Sequence, residues 1–429
     1  MNLDIIRTVT SRQRLKQLLA TPLYANAIYL TLSILVRSLF TFIFWLVVAR
    51  FYTEAEVGYS SAIISVVNYL ALLSLIGWDS SLIRFMPQAE KPRRLINSCF
   101  TLCSLISILI AGIFIAGVDF WSPALTFIKE NNIFVLVFII FTLLWVLSLL
   151  IDATFIAKRR AGFTLIQSAI SSILKIFLAV LLVLFFHAFS IVASWAIALG
   201  VAIAVSLFLF IPKVQHNFRL VPTLDVSLLH SRRHYAGGNY LTSLFISAPP
   251  LILPVIVVNV LGPERNAYFY VAWVMSSLLS AIAVAISSSL FAEGAHFEDR
   301  LGENVSKSLK FIFILLIPAV ILLILVGKWL LLVFGQSYAV NGLKLFWILI
   351  LSSLPLGINH VYTSILRVRG RLKELMAIWG FIAVTMLVTS YLIAPVTGII
   401  GIGYTWLGTQ SAVSIYITTL RRQLIRGSY

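Results

Sequence analysis

The sequence predicts an all-α integral membrane protein with about 12 transmembrane helices, on three observations. Of its 429 residues, 60% are hydrophobic and 11% are charged, and the mean hydropathy is +1.02. The apolar residues form long segments, each able to supply the roughly 20 helical residues that cross a hydrocarbon core about 30 Å thick. The basic residues collect between these segments. Because a spanning segment must satisfy its own backbone hydrogen bonds, segments of this length favour helices over barrel strands.

The apolar segments divide evenly around a polar stretch in the middle of the chain. We therefore expect an N-terminal six-helix lobe over 1–212, a cytoplasmic linker over 213–234 and a C-terminal six-helix lobe over 235–429. The basic stub before the first span is open to two interpretations, a short helix on the membrane surface or a plain cytoplasmic stub. The predicted spans are 24–50, 57–83, 96–118, 131–156, 163–187, 190–212, 235–261, 266–292, 306–327, 342–366, 373–395 and 399–420.

The distribution of Lys and Arg predicts the orientation of these spans. Of the 32 basic residues, 25 fall in the two terminal segments and in alternate connections. The opposite side holds five, which are Arg50, Lys129, Arg265, Lys328 and Lys344. Cytoplasmic segments carry the excess of Lys and Arg, so both termini are predicted to be cytoplasmic and the protein to cross the cell (inner) membrane many times.

Composition and motifs exclude several functional classes. A sequence pI near 10.1 would suggest nucleic-acid binding in a polar protein, but here the basic residues flank apolar segments, so no nucleic-acid partner is expected. The sequence has no Walker loop, HExxH, GxSxG or dinucleotide-binding glycine motif. We accordingly expect no enzyme activity, no cofactor and no metal site.

The two halves also repeat each other weakly. The stretch 154–162 after the fourth span and the stretch 363–371 after the tenth both change from apolar to basic residues. Six spans in each half then imply two lobes related by an axis along the membrane normal.

The local sequence resembles a known family. The stretch Ala49–Gly58 (ARFYTEAEVG) and the stretch Leu75–Pro87 (LIGWDSSLIRFMP) look like those of polysaccharide flippases of the O-antigen (Wzx-like) type. That family belongs to the superfamily of multidrug, oligosaccharidyl-lipid and polysaccharide exporters. The resemblance implies a V-shaped bundle whose central cavity opens to one side and then the other. It also implies an oligosaccharide cargo carried on a polyprenyl pyrophosphate.

Two cations fall near the middle of predicted spans, Arg37 in the first and Lys175 in the fifth. A cation at the bilayer centre is costly, so such residues usually face protein or water. We expect both to line the cavity and bind the cargo's phosphates, since Arg offers forked donors and Lys a point charge. Pairing with a buried acid is the alternative, and snorkelling without a role is another. The acids of the first half, Asp79 and Asp152, are expected nearer the inner ends, beside basic residues there.

The second half has no such midplane charge. Its wall is expected to offer uncharged polar groups to sugar hydroxyls, and the candidates are Asn259, Asn359, His360 and Thr363. His360 also fits a packing role. Three prolines in the seventh span predict a kink, either a static shape or a hinge: Pro249, Pro250 and Pro254.

The sequence therefore predicts a transporter that flips a polyprenyl-pyrophosphate-linked oligosaccharide from the cytoplasmic to the outer leaflet, for surface polysaccharide biosynthesis. Membrane lipids are expected partners, polysaccharide polymerase and glycosyltransferases are further candidates, and H⁺ or Na⁺ could couple. The alternatives are a cation-coupled multidrug exporter of the same superfamily, which would need midplane acids, and a membrane polymerase or glycosyltransferase, which would need a large loop or an acidic motif.

Overall fold

The structure is a computed structural model that describes residues 22–186, 188–216, 218–225, 233–296 and 301–420. Eleven described helices are long and apolar enough to cross a membrane. The last of them, Leu372–Leu420, has 49 residues and would extend about 70 Å if straight, so it supplies two spans. The described residues therefore form the twelve predicted spans. The expectations for the N-terminal stub, the C-terminal tail and residues 226–232 of the linker lie outside the described residues.

We number the spanning helices α1 to α12 in chain order. Their bounds are α1 Pro22–Phe51, α2 Glu54–Leu75, α3 Pro92–Ala116, α4 Asn132–Ala157, α5 Ala161–Phe186, α6 Ala188–Val205, α7 Arg233–Leu261, α8 Pro263–His296 and α9 Leu301–Phe334. The helix α6 continues through a π-helical turn, Ser206–Phe210, into Ile211–Val214. The helix α10 has two parts, Gln336–Leu351 and Ser353–Val368, and the helix Leu372–Leu420 supplies α11 and α12.

The last two spans are joined at Gly398. Its backbone (φ 64°, ψ −158°) lies in a region that is essentially restricted to glycine. Thr385 before it and Thr409 after it line the same surface cavity, so the two segments fold back on each other. The predicted boundary between spans, at residues 395–399, is confirmed.

The helices pack as two groups, a first lobe of α1–α6 and a second lobe of α7–α12. In the first lobe α5 packs between α1 and α6, and α3 packs on α4. In the second lobe α10 packs on α8 and α9, and α7 packs on α11, where Gly380 lies against Phe245. The central helix α2 contacts both lobes, because it also packs on α7 and α8.

The predicted second span, 57–83, is wrong at both ends. It begins at Glu54, where Thr53 forms a capping box with Glu56, and it stops at Leu75. The chain then passes through Ile76 and Gly77 in left-handed conformations and resumes as a short helix, Trp78–Phe85. A glycine at this position is a frequent helix stop signal, which the apolar pattern alone did not register.

The lobes meet at what we call the outer end, where α1 stops and α2 begins. The Asn266 side chain on α8 donates to the Gly58 carbonyl on α2 at 2.7 Å, and Arg50 on α1 donates to the Val333 carbonyl on α9 at 2.7 Å. A Cβ atom on Gly58 would lie 1.8 Å from the Pro263 carbonyl oxygen. Only a glycine therefore allows α2 and α8 to approach this closely.

Helix α1 is loosely packed toward the opposite, inner end. Its outer residues Phe44 and Trp45 are buried, whereas Leu35, toward the inner end, is 59% exposed. The lobes remain joined at this end through α2 and α7, because the Tyr240 hydroxyl donates to the Leu73 carbonyl at 2.7 Å. Exposed residues surround most of the inner part of α1.

Candidate functional site

Arg37 lies near the middle of α1, and its side chain is 51% exposed. One guanidinium nitrogen, Nη2, donates to the Ser168 hydroxyl of α5 at 2.9 Å. The same nitrogen lies 3.3 Å from Oδ2 of Asp152 on α4 and forms an ion pair with it. The side chain thus joins three helices of the first lobe and remains half exposed.

The ion pair corrects the expected environment of Asp152. The rise per residue had placed this carboxylate near the basic residues at the inner end, and the structure instead joins it to Arg37 across 115 residues of chain. Counting along straight helices ignores helix tilt and the reach of an arginine side chain along its helix. Arg37 therefore does pair with a buried acid, which was the alternative expectation, although its side chain is still half exposed.

Lys175 on α5 is buried, with 3% of its surface exposed. Its Nζ atom lies 4.0 Å from the ring centroid of Trp195 and 5.1 Å from that of Phe44, and it donates to the Thr41 hydroxyl at 3.4 Å. Aromatic faces attract a desolvated ammonium group electrostatically. The Lys175 amine thus lies in an aromatic pocket between α1, α5 and α6, and the expectation that it binds the cargo's phosphates stays a prediction.

A polar stripe on α5 connects the two cations. Thr164, Ser168, Ser172 and Lys175 are spaced four, four and three residues apart and are all buried. This spacing places them on one face of a helix. Sequence reasoning singled out only the lysine, although the recurrence of hydroxyl residues every three or four positions in an apolar span was a readable signal.

The uncharged candidates of the second lobe have protein partners. Asn359 on α10 is 2% exposed; its Nδ2 donates to the Gln410 side chain at 2.6 Å and its Oδ1 accepts from Ser414 at 2.9 Å. The Thr363 hydroxyl accepts from the Trp379 indole at 2.9 Å, and the His360 ring lies 5.5 Å from the ring of Trp379. These contacts hold α10, α11 and α12 together, so sugar contact by these residues stays a prediction.

Asn259, at the outer end of α7, fastens a connection of the first lobe. Its Oδ1 accepts from the Ala124 backbone at 2.9 Å, and its Nδ2 donates to the Ser122 hydroxyl at 3.0 Å. Ser122 and Ala124 belong to the connection between α3 and α4. The side chain therefore crosses between the lobes at the outer end, away from Arg37.

The three prolines lie inside a continuous helix. Helix α7 runs through Pro249, Pro250 and Pro254 without an interruption from Arg233 to Leu261. The hinge role of the prolines stays a prediction. Within the described ranges, no three His, Cys, Asp or Glu side chains are grouped as a metal site would require.

Comparison with known proteins identifies the family to which this chain belongs. The family described as "Polysaccharide biosynthesis protein" matches residues 47–341, which is more than half of the chain. The chain belongs to this family. One curated relative, named "Putative O-antigen transporter", from Shigella flexneri, is 23% identical over 180 residues, which cover 41% of this chain and 43% of the relative. The match thus spans less than half the length of that relative.

Solved structures share the fold of this polysaccharide biosynthesis protein. An inward-facing multidrug resistance transporter of the MATE family has a TM-score of 0.71 at 14% identity, covering 94% of this chain and 98% of its own. The lipid II flippase MurJ, in an inward closed conformation, has a TM-score of 0.72 at 12% identity, covering 92% and 87%. A transporter of the MOP superfamily from Pyrococcus furiosus has a TM-score of 0.65 at 14% identity, covering 95% and 97%. Identities this low establish the two-lobed membrane fold alone.

Proposed function

We propose that this protein flips a polyprenyl-pyrophosphate-linked oligosaccharide from the cytoplasmic to the outer leaflet by alternating access. The observation that carries the proposal is a half-exposed guanidinium near the middle of a membrane span, on the loosely packed part of α1. Membrane-embedded arginines are rare because they are costly, and they mark the pathways of charged substrates. A planar fork of N–H donors matches phosphate oxygens in pairs.

The chemistry of such a cargo explains the remaining features. No bond has to be made or broken, since the barrier is the transfer of a polar, anionic head through hydrocarbon. Lys175 is near enough to Arg37 for the two groups to interact electrostatically, because charges in a low-dielectric interior act over longer distances than in water. The sugar chain would occupy the cavity between the lobes, and the polyprenyl chain would stay in the lipid beside α1.

We also propose that both termini and the inner end face the cytoplasm, in the inner membrane. The excess of basic residues in alternate connections supports this orientation. An inside-negative potential would then help to expel the cargo, by about 2.3 kcal/mol per charge per 100 mV. A cysteine at position 129 should react with an impermeant reagent from outside and one at position 159 only after permeabilisation. The reverse pattern would contradict the orientation.

The cycle further implies partners that make and use the cargo. Glycosyltransferases would assemble the lipid-linked oligosaccharide on the cytoplasmic side, and a polysaccharide polymerase would extend it outside. Proton or sodium coupling belongs to the same proposal. The family match and the name of the curated relative support a role in surface polysaccharide synthesis.

The proposal is tested by the variants Arg37→Ala and Lys175→Ala. Each should abolish surface-polymer export in a host that lacks its own flippase, while the protein still inserts into the membrane. Arg265→Ala is the matched control, because this exposed arginine lies at the outer end of α8, away from Arg37. Normal export by both variants would overturn the phosphate-binding role.

A cation-coupled multidrug exporter is the second candidate, and the buried Asp152 is the one feature that favours it. The pairing of that carboxylate with Arg37 weighs against it, because the positive partner would repel a cationic drug. Efflux of a lipophilic cation from loaded cells distinguishes the two functions. The flippase proposal expects no efflux above that of cells without the protein.

A further inference from the structure

The ion pair between Arg37 and Asp152 is asymmetric in exposure. The guanidinium is 51% exposed, whereas the carboxylate side chain is 13% exposed. An incoming anion therefore reaches Arg37 directly but cannot reach its partner. Arg37 is the exposed member of the pair, and Asp152 is the buried member behind it.

The carboxylate is also incompletely satisfied. Oδ2 of Asp152 contacts Arg37, while Oδ1 is buried without a hydrogen-bond partner. The Thr164 hydroxyl on α5 lies close enough to favour the charged carboxylate but makes no hydrogen bond of ordinary geometry. Buried polar atoms without partners are rare in native structures and need an explanation. A carboxylate held this way depends on Arg37 for most of its stabilisation.

The guanidinium keeps most of its donors available. Both of its contacts, to Asp152 and to Ser168, are made by Nη2. Within the described part of the chain, its Nη1 and Nε atoms make no hydrogen bond that the structure defines. Each bidentate edge of the guanidinium includes Nη2, paired with either Nη1 or Nε, so a phosphate that takes two parallel hydrogen bonds competes with Asp152 for that nitrogen.

We propose that Asp152 sets the affinity of this site, as an internal anion that competes with the cargo's diphosphate for Arg37. The inference rests on the proposed function, and it assigns Asp152 a positioning role rather than contact with the cargo. A transport site must bind strongly enough to load and weakly enough to unload. Without the carboxylate, the Arg37 guanidinium would hold a diphosphate too tightly to release it.

Competition also gives the site a way to reset. When a diphosphate draws Arg37 forward, Asp152 stays behind in a buried environment without its cation. Removing one member of a buried ion pair leaves an uncompensated charge, which is strongly unfavourable. The carboxylate therefore pulls Arg37 back once the cavity faces the other side, and the cargo leaves. Ser168 can bond to the guanidinium in either position.

Binding to the full chain in detergent micelles tests this, with farnesyl diphosphate as the probe. Asp152→Asn keeps the side-chain shape and removes the charge, and it should tighten binding by about tenfold, equal to about 1.4 kcal/mol. In an Arg37→Gln background the same change should have a much smaller effect, because the cation that pairs with Asp152 is absent. Asp119→Asn is the control, since that aspartate pairs with Lys129 on the exposed outer connection.

The transport assay should separate affinity from turnover. In vesicles carrying a fluorescent lipid-linked oligosaccharide, Asp152→Asn should lower both the half-saturating concentration and the maximal rate, because tighter binding slows release. Asp152→Glu keeps the charge and should restore much of both values. A purely structural role would lower the rate without tightening binding.

The outcomes separate this inference from the function on which it rests. If Arg37→Gln binds farnesyl diphosphate as well as the wild type does, the proposed function is overturned. If Arg37→Gln loses binding but Asp152→Asn does not gain it, only the role of Asp152 is overturned. Should Asp152→Asn fail to fold, Asp152→Ser also removes the charge and is judged by the same criteria.

Discussion

The two lobes satisfy their buried polar groups in different ways. In the first lobe, Arg37, Asp152 and Lys175 carry charges whose partners are few and partly replaceable. In the second lobe, Asn359 and Gln410 form a neutral network whose members bond to one another. Neutral hydrogen-bonded groups hold their helices together, although Gln410 Nε2 lacks a partner, whereas a half-exposed charged group keeps binding capacity for something else. On the proposed function, we expect the cargo's charge to bind to the first lobe and this part of the second lobe to have a supporting role.

The largest loss of transport is expected when the charge of Lys175 is removed, which tests whether the first lobe binds the cargo. Lys175→Met removes the charge and nearly conserves the volume of the side chain. A charge-assisted contact is worth about 1.5–3 kcal/mol, so transport should fall by about ten- to hundredfold. Thermal stability should be unchanged or higher, because apolar replacements of buried charges are often neutral or stabilising. Lys344→Met, at an exposed position on α10, is the control, and undiminished transport by Lys175→Met would remove the lysine from the site.

In the second lobe we expect the opposite pattern, a loss of stability with little change in transport. Asn359→Leu removes the partner of the Gln410 side chain and one of the two acceptors of the Ser414 hydroxyl, and it should cost about 2 kcal/mol of stability. Transport per folded molecule should stay within a factor of about three, since a loss below 1 kcal/mol corresponds to less than fivefold. Thermal unfolding and vesicle transport measure the two quantities. The control is Asn341→Ala, which breaks only a bond within its own helix. A selective loss of transport in Asn359→Leu would instead make this residue a cargo contact.

The smallest effect is expected where the lobes meet. Asn266→Ala removes the hydrogen bonds to the Gly58 carbonyl and the Ser61 hydroxyl, worth about 1 kcal/mol together or somewhat more. The lobes should then separate more often at the outer end. Spin labels at positions 129 and 344, one on each lobe, should show an additional population at longer distance. Asn131→Ala, which removes only the cap of α4, should leave the distances unchanged.

Local properties of the chain made most of the fold predictable. Twelve apolar segments were long enough to cross a bilayer, and the described residues supply twelve spans, the last two within Leu372–Leu420. Boundaries were less accurate. The second span stops early at Ile76, and the ninth, α9, extends to 34 residues, because caps, glycines and tertiary contacts decide where a helix ends.

The candidate site was predictable only in part. Arg37 was recognised because a charge inside an apolar span is visible in the sequence, and its depth follows from the rise of a helix. Its partner was not recognised, because that depends on how α1, α4 and α5 are tilted and rotated. The aromatic pocket of Lys175 was missed for the same reason, since Phe44 and Trp195 come from two other helices.

The sequence by itself determined how many helices cross the membrane, where they begin approximately and which cations are carried to its middle. The free energy of transferring apolar side chains into lipid and the rise per residue of a helix are local quantities, so they can be read along the chain. Only the tertiary structure decided what each buried group touches. A single helix is free to rotate about its axis until its neighbours fix it, and the neighbours of Arg37 lie 115 and 131 residues away.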